Sequence, residues 1–131
     1  MDFGPRLKNA INALDLPIAT ILGTLTATES AALYPMPGGQ VVRAYMDGEK
    51  DEALNYEYAI KTKDAEKAGE QIWQVTEMLE RLNELASMDD SFQFDNISVT
   101  SKPSQSIADE QGYFYWVIDF TATLTTFPKG D

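Results

Sequence analysis

Carboxylates are the side chains of this sequence most able to do chemistry, and they stand in three tight groups: Glu49, Asp51 and Glu52; Asp89 and Asp90; Asp109 and Glu110. Two carboxyls act as general acid and base when a cleft pushes their pKa values apart. All three groups lie among turn-forming residues, where solvent keeps such groups ordinary. Asp47, Glu49 and Asp51 also alternate as calcium ligands would. An EF-hand loop, however, closes with a glutamate at its twelfth position. Here the twelfth residue is Tyr58, Lys50 intrudes, and the glycine stands second. Gly38-Gly39 lacks the Lys-Ser/Thr and the helix N-terminus of a phosphate loop, since Gln40 and an expected strand follow. There is no histidine and no cysteine. The commonest general base near neutral pH, the thiol nucleophile and the soft metal ligands are therefore missing, and no serine triad can be built. The residues point away from an enzyme and call for no metal or cofactor.

The elements that would position these groups come from an ordinary folding composition. The chain has 131 residues, 44% apolar and 11% aromatic, enough for one domain spanning 1–131 with a substantial core. Twenty-one acidic residues against ten basic ones give a net charge of −11. That charge disfavours nucleic-acid phosphates and anionic membranes as ligands and steers the protein toward basic surfaces. No disulfide is possible. Met-Asp-Phe-Gly-Pro lacks the basic start of a signal peptide, and no segment approaches the ~18 apolar residues of a membrane span. A soluble protein made in the cytosol is expected.

Phe3, Leu7, Ala10, Ile11 and Leu14 predict a short amphipathic helix over 4–14, with Pro5 in its first turn and Leu16-Pro17 ending it. Strands are expected over 18–26, 31–34 and 41–46, with Pro35-Met36-Pro37-Gly38-Gly39 as a loop between the last two. Residues 52–61 alternate: Leu54, Tyr56, Tyr58 and Ile60 on one face, Asn55, Glu57, Ala59 and Lys61 on the other. Asp64 is the expected N-cap of a long helix reaching Ala86, with the stripe Ala65, Ala68, Ile72, Val75, Leu79, Leu82 and Ala86. Phe92–Val99 is either a hairpin about Asp95-Asn96 or a bulged strand. A polar loop over 102–111 precedes the longest expected strand, 112–126, placed centrally in the sheet because an exposed strand of that length invites aggregation. The order predicts an α+β fold of two layers: a mostly antiparallel or mixed sheet with the long helix and the short N-terminal helix on one face.

Two surfaces are candidates for protein contact. On the long helix, Trp73 falls nearly opposite the apolar stripe, among Glu66, Glu70, Glu77, Glu80 and Glu84. This is either a solvated helix face or a docking surface for a basic, partly apolar partner anchored on Trp73. Only Glu77 and Arg81 form a well-compensated pair along it. On the last strand, Tyr115, Asp119, Thr121, Thr123 and Thr125 share the face turned from the core, a solvated surface or a flat subunit contact.

The blocks Pro37–Gly48, Leu54–Asp64 and Ala108–Phe114 with Asp119-Phe120-Thr121 resemble the small "minor capsid" proteins of tailed phages and prophages of Gram-positive bacteria, over about Ile11 to Thr126. Those proteins are similar to tail-terminator and head–tail joining proteins. The resemblance implies a virion structural protein of the tail or neck. It would be made in the host cytoplasm and assembled as a homo-oligomeric ring, typically a hexamer, that caps the tail tube and joins it to the head. Its partners would be copies of itself, the tube protein and the connector proteins, with DNA passing through unbound. Tyr34, Met36, Gly38 and Gly39, in the expected loop at 34–40, are candidate contacts, with Asp47–Asp51 beside them. The alternative reading is an acidic interaction adaptor or a DNA-mimicking inhibitor, for which the glutamates of the long helix would form the ridge.

Overall fold

The computed structural model describes residues 1–128. Two helices, α1 (Phe3–Asn12) and α2 (Ala65–Arg81), cover one face of a five-stranded sheet made of β1 (Thr20–Leu22), β2 (Ser30–Ala44), β3 (Lys50–Thr62), β4 (Phe92–Gln105) and β5 (Phe114–Thr126). The strand order is β1-β2-β3-β5-β4. Only the β1–β2 pair is parallel, so the sheet is mixed and predominantly antiparallel, as expected. The long closing strand β5 lies between β3 and β4, inside the sheet. It is not the longest, because β2 extends further.

The core follows the two periodicities read from the sequence. Phe3, Leu7 and Ile11 of α1 and Ala68, Ile72, Val75 and Leu79 of α2 pack on Tyr58 and Ile60 of β3 and on Ile118, Phe120, Ala122 and Leu124 of β5. Phe3 packs edge-on against both Tyr56 and Phe92. Asp64 caps α2 by accepting the Lys67 amide at 3.1 Å. A glutamine, Gln71, interrupts the apolar stripe. Its amide exchanges two hydrogen bonds with the Ile18 backbone (2.8 and 3.0 Å) and donates to the Tyr58 hydroxyl (3.0 Å). A buried amide is tolerable only when satisfied in this way. Here it stands in for a backbone ladder and ties the 13–19 segment to the helix.

Four expectations are corrected. The strand expected over 18–26 shrinks to Thr20–Leu22, because Gln71 takes the Ile18 backbone and the chain turns away at Gly23 (φ 103°). Pro35–Gly39 is no loop: β2 runs through it as one strand. β1 covers only Ala31–Leu33, so beyond that point β2 has β3 on one side and, among the described residues, no partner strand on the other. A strand paired on one side only accommodates the missing proline donors. The surplus residues form a bulge between Met36 and Gln40. The long helix stops at Arg81 rather than Ala86. Leu82 and Leu85 still pack on the core, but Arg6 Nε donates to Ala86 O (2.7 Å) and Asp2 accepts from Ser87 Oγ and Met88 N (both 2.7 Å), which hold the segment extended against α1. Phe92–Val99 is the bulged strand rather than the hairpin, and β4 continues past Pro103 to Gln105, into the expected loop.

Candidate interaction surfaces

The helices cover one face of the sheet, so the outward side of α2 and the open sheet face look in opposite directions. On α2, Trp73 is 49% exposed, with Glu66, Glu70 and Glu77 exposed around it. Glu80 reaches across to Lys102 of β4 at 2.7 Å. Glu77 and Arg81 do not pair. Both line a groove of about 470 Å³ whose apolar floor is Leu14, Met78 and Leu82. The second tryptophan, Trp116, does a different job. Its ring lies against Gly69, where a Cβ would come within 3.1 Å, and its indole N–H donates to Ala65 O at 3.1 Å. It locks α2 onto the sheet.

The open sheet face divides into a covered end and a bare end. At the covered end, Lys61 is buried and donates to the carbonyls of Thr26 (3.2 Å) and Ala27 (3.1 Å), with its ammonium 4.7 Å from the centre of the Tyr113 ring. The Tyr113 backbone amide, with the Tyr115 hydroxyl that donates to Asp109 at 3.0 Å, holds the Asp109 carboxyl below its usual range, and the same Tyr115–Asp109 bond pushes the phenol up. The Tyr115 hydroxyl is thus engaged within the chain.

At the bare end, Thr121 donates to Asn55 (2.8 Å) and Thr125 to Asp51 (2.8 Å), so the threonine row braces β5 against β3. Asp119 stands directly opposite Glu57. Tyr34, opposite Glu57 on the other side, donates its hydroxyl to Glu57 Oε1. Burial first, then the hydrogen bond to Glu57, raises the Tyr34 phenol. The facing Glu57 carboxylate, as acceptor for a proton held on Asp119, then burial and the Glu57 charge, push Asp119 up to about 6. Asp119 Oδ1 is closed to solvent and has no hydrogen-bond partner. Beside this trio lies a cleft of about 380 Å³ lined by Met36, Pro37, Asn55, Thr100, Asp119 and Thr121.

Of the residues singled out from the sequence, Tyr34 and Asp119 therefore meet through Glu57, and Met36 borders the same cleft. Trp73, Glu66, Glu70 and Glu77 form a separate patch on the other side. Gly38 and Gly39 serve the bulge. Gly38 has φ 97°, and a Cβ on Gly39 would lie 3.1 Å from Ala53 O, while Asn55 donates to Pro37 O at 3.1 Å to fix the excursion. Sequence reasoning placed Glu57 on the outward face but not in the trio, because cross-strand register was unknown. The Asp47–Asp51 segment spans the end of the β2–β3 turn and the first two residues of β3. Asp47 accepts the Glu49 amide (3.0 Å), Gly48 has φ 93°, and Tyr45 donates to Asp51 (2.7 Å). Among the described residues, no three His, Cys, Asp or Glu side chains stand close enough to share a metal ion, and no helix is long and apolar enough to cross a membrane.

The architecture is that of a small α+β protein with one helical layer on an open sheet, several of whose outward polar groups bond from strand to strand. The chain belongs to the bacteriophage tail terminator protein family, whose characteristic sequence matches residues 7–126. It is thus a structural protein of the phage tail, a component of the virion that works with other tail and head proteins. No curated protein matches the chain.

Proposed function

We propose that this protein closes into a ring, a hexamer, at the head-proximal end of the tail, where it stops tube growth and joins the tail to the neck without catalysing a reaction. Family membership carries this reading. The distribution of surfaces supports it. A closed ring uses heterologous contacts, in which one patch of a subunit meets a different patch of the next. Here the Trp73 patch on α2 and the bare end of the sheet lie on opposite sides, and each presents an exposed apolar side chain (Trp73; Met36) that a contact would cover. Trp73 is the anchor of the helical patch, since a half-exposed indole at the centre of a contact contributes most when it becomes fully desolvated. The excess of acid disfavours adhesion to DNA, which fits a passage that the genome crosses without being held.

The test is a phage stock in which this gene is deleted and supplied in trans. Its absence is expected to leave unattached heads and tails of unregulated length by electron microscopy, and wild-type protein restores joined particles. Joined particles with tails of normal length in the absence of the protein would refute the reading. Complementation with Trp73→Ala is expected to yield soluble, folded subunit and few joined particles.

A further inference from the structure

The open sheet face carries a feature that the terminator reading does not require. Tyr34 of β2, Glu57 of β3 and Asp119 of β5 stand side by side on three adjacent strands. Ionised carboxylates only accept hydrogen bonds, so two of them facing each other across a ladder repel unless one holds a proton. Compensation from a neighbouring cation is lacking among the described residues around the pair. Along the face, Asn55 and Thr121 bond to one another, and Ala59 and Val117 lie on the other side. From β4, Ser101 is the residue opposite Asp119, and Lys102 is committed to Glu80. On β3, Lys61 is turned to the Thr26 and Ala27 carbonyls. Among the described residues, Tyr34 is the other titratable group bonded to the pair, and it is the donor.

We propose that Tyr34, Glu57 and Asp119 form a proton-holding latch across β2, β3 and β5, closed while Asp119 holds its proton and loosened when Asp119 ionises. In the closed state Asp119 donates to Glu57, Tyr34 donates to the same carboxylate, and the three strands are joined by one chain of hydrogen bonds. In the open state two adjacent negative charges face each other, and the side-chain contact between β3 and β5 becomes repulsive. The cleft bordered by Met36, Pro37 and Thr100 opens onto Asp119, so solvent has a route to the proton. The charge of the bare sheet end thus changes by one unit near pH 6, the value toward which Asp119 is displaced. This inference does not rest on the terminator reading and stands whether or not the subunit forms a ring.

Carbon-detected NMR of the side-chain carboxyls in the full chain, from about pH 4 to about pH 8, tests it directly. Asp119 is expected to titrate near pH 6, about two units above a free aspartate. Glu57→Gln is expected to lower the Asp119 midpoint toward that of a free aspartate, burial alone then holding it up. Asp119→Asn keeps a donor to Glu57 while removing the second charge. Its melting temperature, measured against that of the wild type, is expected to rise by a few degrees between about pH 5 and about pH 7.5. A midpoint for Asp119 below about 5, or one that Glu57→Gln leaves unmoved, overturns the latch. So does an Asp119→Asn difference that is the same at both pH values.

Discussion

Gln71 is the side chain on which the two layers most depend for their alignment. It is 1% exposed, and its amide satisfies the N–H and C=O of Ile18 together with the Tyr58 hydroxyl. Gln71→Ala leaves the buried N–H and C=O of Ile18 without their partner, strips the Tyr58 hydroxyl of one bond while Thr20 Oγ1 still donates to it, and opens a cavity. A loss of about 2–4 kcal/mol is expected, read as a lowered urea midpoint. Nothing in the helical pattern singles out Gln71, because its partners lie in a segment whose position no periodicity specifies. Trp73 behaves oppositely. It is half exposed, and Trp73→Ala is expected to cost less than about 1 kcal/mol in the isolated subunit. Its effect belongs to assembly, so the measurement that exposes it compares urea midpoints with the yield of joined particles. The wheel that placed Trp73 outward needed only the 100° step of a helix, which is why this part of the site was legible.

Among the elements, β2 shows how context overrides local signals. Two prolines and two glycines in five residues announce a turn, yet the strand passes through them because, among the described residues, its outer side lacks a partner strand and the excess chain is absorbed in a bulge. Gly38 is the residue that permits it. Its φ of 97° lies where a β-branched side chain is strained, and a Cβ there would meet Asn55 Nδ2 at 3.0 Å. Gly38→Val is expected to cost about 1–3 kcal/mol and to increase hydrogen exchange along the outer half of β2. The start of α2 was legible and its end was not. Asp64 caps the helix through the Lys67 amide, and Asp64→Ala is expected to lower stability by about 1 kcal/mol in thermal melts. The C-terminus was misplaced because Leu82 and Leu85 keep facing the core after the helix has ended. The contacts that hold the segment extended come from Asp2 and Arg6, some eighty positions earlier in the chain.

For the whole molecule, two sets of carboxyls pull the pH dependence in opposite directions. Hydrogen bonds hold several below their ordinary values: Thr62 acts on Glu29, Tyr45 on Asp51, Ser91 and Ser87 on Asp89, and the Tyr113 amide on Asp109. A depressed folded pKa contributes stability that is present above the unfolded value, near 4, and is lost as the pH falls through the folded one. Asp119 is raised to about 6, so its contribution is complete below the unfolded value and is lost as the pH rises toward 6. The net charge of −11 adds self-repulsion at neutral pH. Thermal stability is therefore expected to peak between about pH 4 and pH 6, to fall on either side, and to rise with salt at pH 7. A calorimetric series over pH and ionic strength checks all three.

By itself the sequence determined the two layers, the inward faces of both helices and of β3 and β5, the cap at Asp64 and the outward Trp73. Each of these follows from a repeat of 3.6 or 2 residues, or from a bond between residues three apart, and such relations are written locally. Tertiary structure alone decided that β2 is continuous, that α2 stops at Arg81, that Gln71 bridges to Ile18, and that Tyr34, Glu57 and Asp119 meet. Those outcomes depend on which strands become neighbours and in what register. Register is selected by burying the whole core at once, an energy shared among residues far apart in the chain.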